Sequence, residues 1–135
     1  MLKVDPGRAS KFFSHRADRG NIFDLISNGD TMNHVDWRAE AAAIWRPRQQ
    51  RLRPVRHLDP VALDDLLGVD TQKRKLVQNT ERFLAGKPAN HALLWGSRGT
   101  GKSSLVKALL NEYAPRGLRM IEVEKHDLVD LPEIV

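Results

Sequence analysis

The residues best able to do chemistry sit together at Gly96-Ser97-Arg98-Gly99-Thr100-Gly101-Lys102-Ser103. Their spacing is G-x-x-x-x-G-K-[ST], that of a phosphate-binding loop. A triphosphate packs several negative charges into a small volume, so holding it takes many donors converging on a tight concave surface. Backbone N–H groups converge only where side chains leave the approach open. Glycine at 96, 99 and 101 clears that approach and permits positive φ, which lets successive amides form a nest. A helix starting near Gly101 would add its own unpaired N–H groups and the positive end of its dipole. In such a site Lys102 reaches the β- and γ-phosphates and the Ser103 hydroxyl ligates Mg²⁺. The competing reading is a plain glycine turn with Lys102 in solvent.

A loop of this kind needs a strand before it and a helix after it, and the flanks supply candidates in that order. His91-Ala92-Leu93-Leu94-Trp95 is a short apolar run that predicts a buried parallel strand. Beyond the loop, Leu105, Val106, Leu109 and Leu110 recur on one helical face through Tyr113. Pro115 and Gly117 then end the helix. Upstream, Asp70 or Thr71 caps a second helix running to about Ala85, with Leu76, Val77, Thr80, Phe83 and Leu84 on one face. Gly86 suits the position after its end, and Pro88 follows. Lys73, Arg74 and Lys75 lie early in this helix, where the dipole disfavours cations. Downstream, Leu118–Val123 predicts another strand. His126 has no partner at metal-ligand spacing, so it reads as a surface or strand-end residue. Asp130 and Glu133 resemble the start of a capped helix, with barely one turn of sequence beyond.

The chain has 135 residues, enough for one small domain with a real core, and at 41% hydrophobic and 29% charged an ordinary soluble composition; the strand, loop and helix order makes the expected class α/β. It has no apolar run of membrane-spanning length and no leader-like N-terminus. Zero cysteines exclude disulfides and thiolate metal sites, which is compatible with the reducing cytoplasm. The net charge of +5 is unevenly placed: residues 1–58 carry 11 Lys/Arg against 6 Asp/Glu, and residues 59–135 carry 11 against 11. Basicity therefore belongs to the first part, and divides a basic N-terminal arm and helix (1–58) from a nucleotide-binding part (59–135).

Within the arm, residues 1–35 are weakly patterned and read as mostly unstructured or as a small docking element. Phe12-Phe13 is one apolar cluster. Ile22-Phe23-Asp24-Leu25-Ile26 is another, in a possible two-turn helix from Asn21 to Asn28-Gly29. Met32 is a possible internal start. Asp36 is a good N-cap for a helix over Trp37–Arg46, whose stripe of Trp37, Ala41, Ile44 and Trp45 must be covered by the nucleotide-binding part or by a partner. Arg46–His57 then places five arginines where no acid occurs between Glu40 and Asp59. Two prolines there favour an extended strap, either a solvated linker or a seat for nucleic-acid phosphates.

The segment from about Trp37 to Val135 resembles an uncharacterised bacterial family of AAA+-type P-loop ATP-binding proteins. The matching stretches include Leu66-Leu67-Gly68-Val69-Asp70-Thr71-Gln72-Lys73, Asn79–Gly86, Pro88-Ala89-Asn90, Leu94–Leu110 and Ile121-Glu122-Val123 with Asp127–Pro132. The resemblance implies a partial P-loop NTPase core of parallel strands and flanking helices, binding ATP with Mg²⁺ and assembling as a homo-oligomer at full length. It also implies that Leu67-Gly68-Val69 lies against the adenine and that the amides of Thr100 and Ser104 join the phosphate cradle. No run of four apolar residues ending in Asp or Glu follows the loop, so the carboxylate that polarises water in such ATPases is missing. Met120-Ile121-Glu122 is too short, and Leu128-Val129-Asp130 fails likewise. The expectation is thus a nucleotide-binding N-terminal piece without catalytic residues of its own, with hydrolysis left to the full-length protein. Two rivals stand beside it: an adaptor acting through segment 46–57 with a vestigial loop, and a small P-loop kinase.

Overall fold

The computed structural model describes residues 11–16 and 35–130. They fall into two compact units, one spanning Leu58–Leu118, the other joining described residues of Ser10–His57 to those of Arg119–Val135. The expected helix at 21–28 and the Asp130/Glu133 cap lie outside the described residues.

In the first unit, α1 (Asp70–Leu84) and α2 (Lys102–Tyr113) form where the apolar periodicity places them. α1 starts without a side-chain cap, with Asp70 in its first turn rather than at the capping position. An ion pair from Asp70 to Lys73 at 3.9 Å answers part of the misplaced positive charge there. The helix stops as predicted. Gly86 takes φ of 69°, the Gly86 N–H donates to Phe83 O at 3.0 Å, and the Lys87 N–H donates to Arg82 O at 2.9 Å. Those two bonds are a Schellman closure, which uses carbonyls a helix end would otherwise leave unpaired. α2 buries Leu105, Ala108, Leu109, Leu110 and Tyr113, and a 3₁₀ turn at Ala114–Arg116 followed by Gly117 at φ 96° ends it. The Tyr113 hydroxyl donates to Glu81 Oε1 at 3.0 Å, tying α2 to α1. Burial and the neighbouring Glu81 carboxylate push the Tyr113 phenol above its ordinary pKa.

Residues 59–65 are held on α2 by its polar face. Lys107 Nζ bonds Asp59 Oδ2, and the Asn111 amide donates to Asp59 O at 2.8 Å and Val61 O at 2.9 Å. The 3₁₀ turn Leu63–Asp65 packs on the same helix.

The second unit is a mixed sheet of four strands: β1 (Lys11–Arg16), β2 (Ala42–Arg46), β3 (Arg51–Pro54) and β4 (Leu118–Val123), in the order β1-β4-β2-β3. β2 runs parallel to β4 with Ala43 beside Ile121, and antiparallel to β3 with Trp45 opposite Leu52. Two expectations for the arm are corrected. Residues 11–16 form a strand, and the predicted helix over 37–46 is a turn followed by β2. The Asp36 signal is spent on that single turn: its carboxylate accepts the Arg38 N–H at 3.0 Å, and its carbonyl accepts those of Ala39 and Glu40 at 3.0 and 2.7 Å. Beyond it, Ala42 and Ala43 are both 0% exposed. On a helix they would lie off the tryptophan stripe. In a central strand their side chains point to opposite faces, both covered, so burial overrides alanine's helical preference. Trp45 packs with Ile121 and Val123, and Trp37, Leu52 and Leu128 close over that cluster.

The arginine strap is not a simple extended segment. Pro47–Gln49 makes a 3₁₀ turn, Gln50 takes φ of 45°, and Arg51–Pro54 returns as an edge strand. Proline is tolerated at that edge because no neighbour needs its missing N–H.

The expected strand at 91–95 is the remaining correction. A strand exists through bonds to a neighbour, and among the described residues this run carries no strand. Leu93 and Trp95 are 39% and 57% exposed rather than buried.

Candidate functional site

The glycine loop connects residue 95 to α2. Gly96, Gly99 and Gly101 have φ of 140°, 84° and 80°, all in the region that L-side chains avoid. Gly101 is the N-cap of α2 and offers no side-chain oxygen to the first turn. The first helical bond runs from Leu105 N–H to Gly101 O at 2.8 Å. Among the described residues no group accepts the N–H of Lys102, Ser103 or Ser104. These are the orphan donors every helix start carries, here beside a chain reversal in which a Cβ at Gly99 or Gly101 would meet nothing within 4 Å.

Lys102 folds back across the loop. Its ammonium donates to Gly96 O at 2.8 Å, Ser97 O at 2.6 Å and the Thr100 hydroxyl at 3.3 Å. Three protons thus meet three acceptors, and the cation ties both ends of the turn together. Thr100 Oγ1 also donates to Ser97 O at 2.9 Å, bracing the bend. A Cβ on Gly96 would meet Thr100 Oγ1 at 3.4 Å, so the hydroxyl takes up the room that glycine leaves. Ser103 is exposed on the first turn, Ser104 is half-buried, and Arg98 is exposed at the tip of the loop.

The nine residues singled out from sequence (Gly96, Ser97, Arg98, Gly99, Thr100, Gly101, Lys102, Ser103 and Ser104) therefore occupy one turn and one helix start. The donor set suits a polyanion: amides without acceptors, the Lys102 ammonium laid across the turn, and a hydroxyl next to it. Sequence reading missed what holds the approach to the loop. The Asn79 side chain donates to Asn90 O at 2.7 Å and accepts the Asn90 N–H at 2.9 Å, pairing with backbone as a strand would. The Arg82 guanidinium donates to Pro88 O at 2.9 Å. Nothing in periodicity marks Asn79, a half-buried polar residue of α1. Among the described residues no cluster of His, Cys, Asp or Glu is arranged for a metal, and no helix is long and apolar enough to cross a membrane.

With that geometry in view, the chain belongs to the family described as "Protein of unknown function (DUF815)", whose model matches residues 38–135. It is also similar to two archaeal proteins. The replication factor C large subunit of Staphylothermus marinus is 41% identical over 69 residues, covering 50% of this chain and 16% of that protein. The replication factor C large subunit of Ignicoccus hospitalis is 36% identical over 70 residues, covering 50% of this chain and 14% of that protein. The chain thus spans about a sixth of the length of the curated relatives it matches. No solved structure matches it.

Proposed function

We propose that residues 96–104 bind Mg·ATP as the phosphate-binding part of an AAA+-type ATPase. The observation that carries this reading is the turn of three positive-φ glycines leading into an uncapped helix start, with Lys102 laid across it. The similarity to replication factor C large subunits supports it, as does the resemblance read from the sequence. In this reading the amides of Gly99 to Ser104 surround the phosphates, and Lys102 exchanges a loop carbonyl for a phosphate oxygen. Arg98 flanks the polyanion, and Ser103 supplies a ligand to Mg²⁺. The metal would neutralise phosphate charge. What these residues do is bind and orient, since no water-polarising carboxylate follows four apolar residues in this sequence.

Calorimetric titration with ATP, with and without Mg²⁺, tests the proposal. Saturable binding is expected, strengthened by the metal, with that strengthening reduced in Ser103→Ala. No binding in either condition would refute it.

A further inference from the structure

The β2–β3 hairpin presents a second feature that nucleotide binding does not use. Its pairing puts Arg46 directly opposite Arg51 and Ile44 opposite Arg53. Side chains alternate along a strand, so Arg46, Arg51 and Arg53 share the face opposite to that of Trp45 and Leu52, which point into the core. Like charges directly across a ladder destabilise it, yet the hairpin carries such a pair and adds Arg48 and Arg56, both exposed. Among the described residues no carboxylate forms an ion pair with any of the five. Arg51 Nε instead donates to Gln49 Oε1 at 2.7 Å, which fixes its fork.

Acids do lie nearby. Glu122 is beside Ile44 on β4, and Glu124 and Asp127 share an open pocket with Arg46 and Arg48. β2 lies between Glu122 and the edge strand β3, which carries Arg51 and Arg53.

We infer that the turn and edge strand of this hairpin, through Arg48, Arg51 and Arg53, bind the phosphate backbone of nucleic acid without reading sequence. All five cations of segment 46–57 are arginines, whose planar fork matches phosphate oxygens in a way lysine does not. Among the described residues the exposed large hydrophobic residues are Leu67, Leu93, Trp95 and Val129, and none is on the hairpin. A protein interface would want such an anchor at its centre. The one aromatic residue of the hairpin, Trp45, is 7% exposed, so no ring is offered for base stacking. Contacts confined to phosphate position a strand but carry no sequence information.

The test is fluorescence-anisotropy titration of the whole chain against a mixed-sequence DNA duplex of about 20 base pairs across a salt series. Three arginine contacts give a slope of log K on log salt of about −2.7, or roughly a 40-fold loss between about 50 and 200 mM salt. Arg53→Gln should bring the slope to about −1.8 and weaken two duplexes of different composition equally. Arg53→Lys should keep the slope, and the triple change Arg48→Gln/Arg51→Gln/Arg53→Gln should abolish binding. Circular dichroism shows whether the variants keep their fold, and the single exposed change Arg53→Gln carries the test should the triple variant unfold. A flat salt response, an unchanged slope in Arg53→Gln, or equal binding of polyglutamate would overturn the assignment. Because these arginines are remote in sequence from the glycine loop, Lys102→Ala should leave DNA binding intact, so the two proposals fail separately.

Discussion

Gly101→Ala isolates the part of the loop that depends on backbone shape. Gly101 has φ of 80°, and a Cβ there would meet nothing within 4 Å. The substitution therefore causes no clash, and only the left-handed backbone is penalised. That penalty is about 1–2 kcal/mol for an L-residue, offset by about 0.4–1 kcal/mol from the stiffer unfolded chain. A net loss of about 1 kcal/mol remains, which at a urea dependence of about 1–2 kcal/mol per molar lowers the midpoint by roughly 0.5–1 M. Gly117→Ala is the matched control, since Gly117 has φ of 96° and equally open surroundings. Both variants should lose similar stability in urea, but only Gly101→Ala should weaken ATP binding, because relaxing φ at the N-cap swings the Lys102 and Ser103 amides off a common focus. Equal ATP affinity in wild type and Gly101→Ala, with the stability loss present, would refute the idea that the loop works through converging amides.

Other expectations bear on the fold. Tyr113→Phe removes the bond to Glu81 and should cost about 0.5–1.5 kcal/mol at neutral pH by urea titration. The Tyr113 pKa is raised in the folded state, so above pH about 10 the unfolded chain releases this proton first, and folded stability falls as pH rises further. In Tyr113→Phe that part of the alkaline decline should be absent. Ala42→Leu should destabilise by about 1–3 kcal/mol through overpacking, since Ala42 is fully buried in β2. Had Trp37–Arg46 been a helix with Ala42 off its apolar stripe, the same change would be nearly neutral.

How legible these features were depended on whether their causes are local. α1 and α2 were readable because each keeps a long apolar period, and their ends were readable because Gly86 and Gly117 supply a left-handed residue that few others tolerate. The glycine loop was readable for the same reason: its shape needs particular residue types at particular positions. β2 was not, because Asp36 and the alanines that follow are locally consistent with a helix. Pairing with the distant β4 decides otherwise, on a side where the Arg119 Nε donates to Trp37 O at 2.8 Å across 82 residues of chain. The run at 91–95 was misread for the converse reason, since an apolar stretch suits a strand but cannot make one without a neighbour. The Asn79–Asn90 clamp left no trace in the apolar periodicity, because an asparagine within a helix is unremarkable until its partner is known.

The central claim is that one ammonium group and a focus of amides grip a polyanion, and calorimetry of Mg·ATP binding to wild type and Lys102→Ala tests it most directly. A bond between charged groups contributes about 1.5–3 kcal/mol, so the variant should bind at least about 10-fold more weakly while α2 keeps its helical signal. Equal affinity in the two proteins would contradict the account.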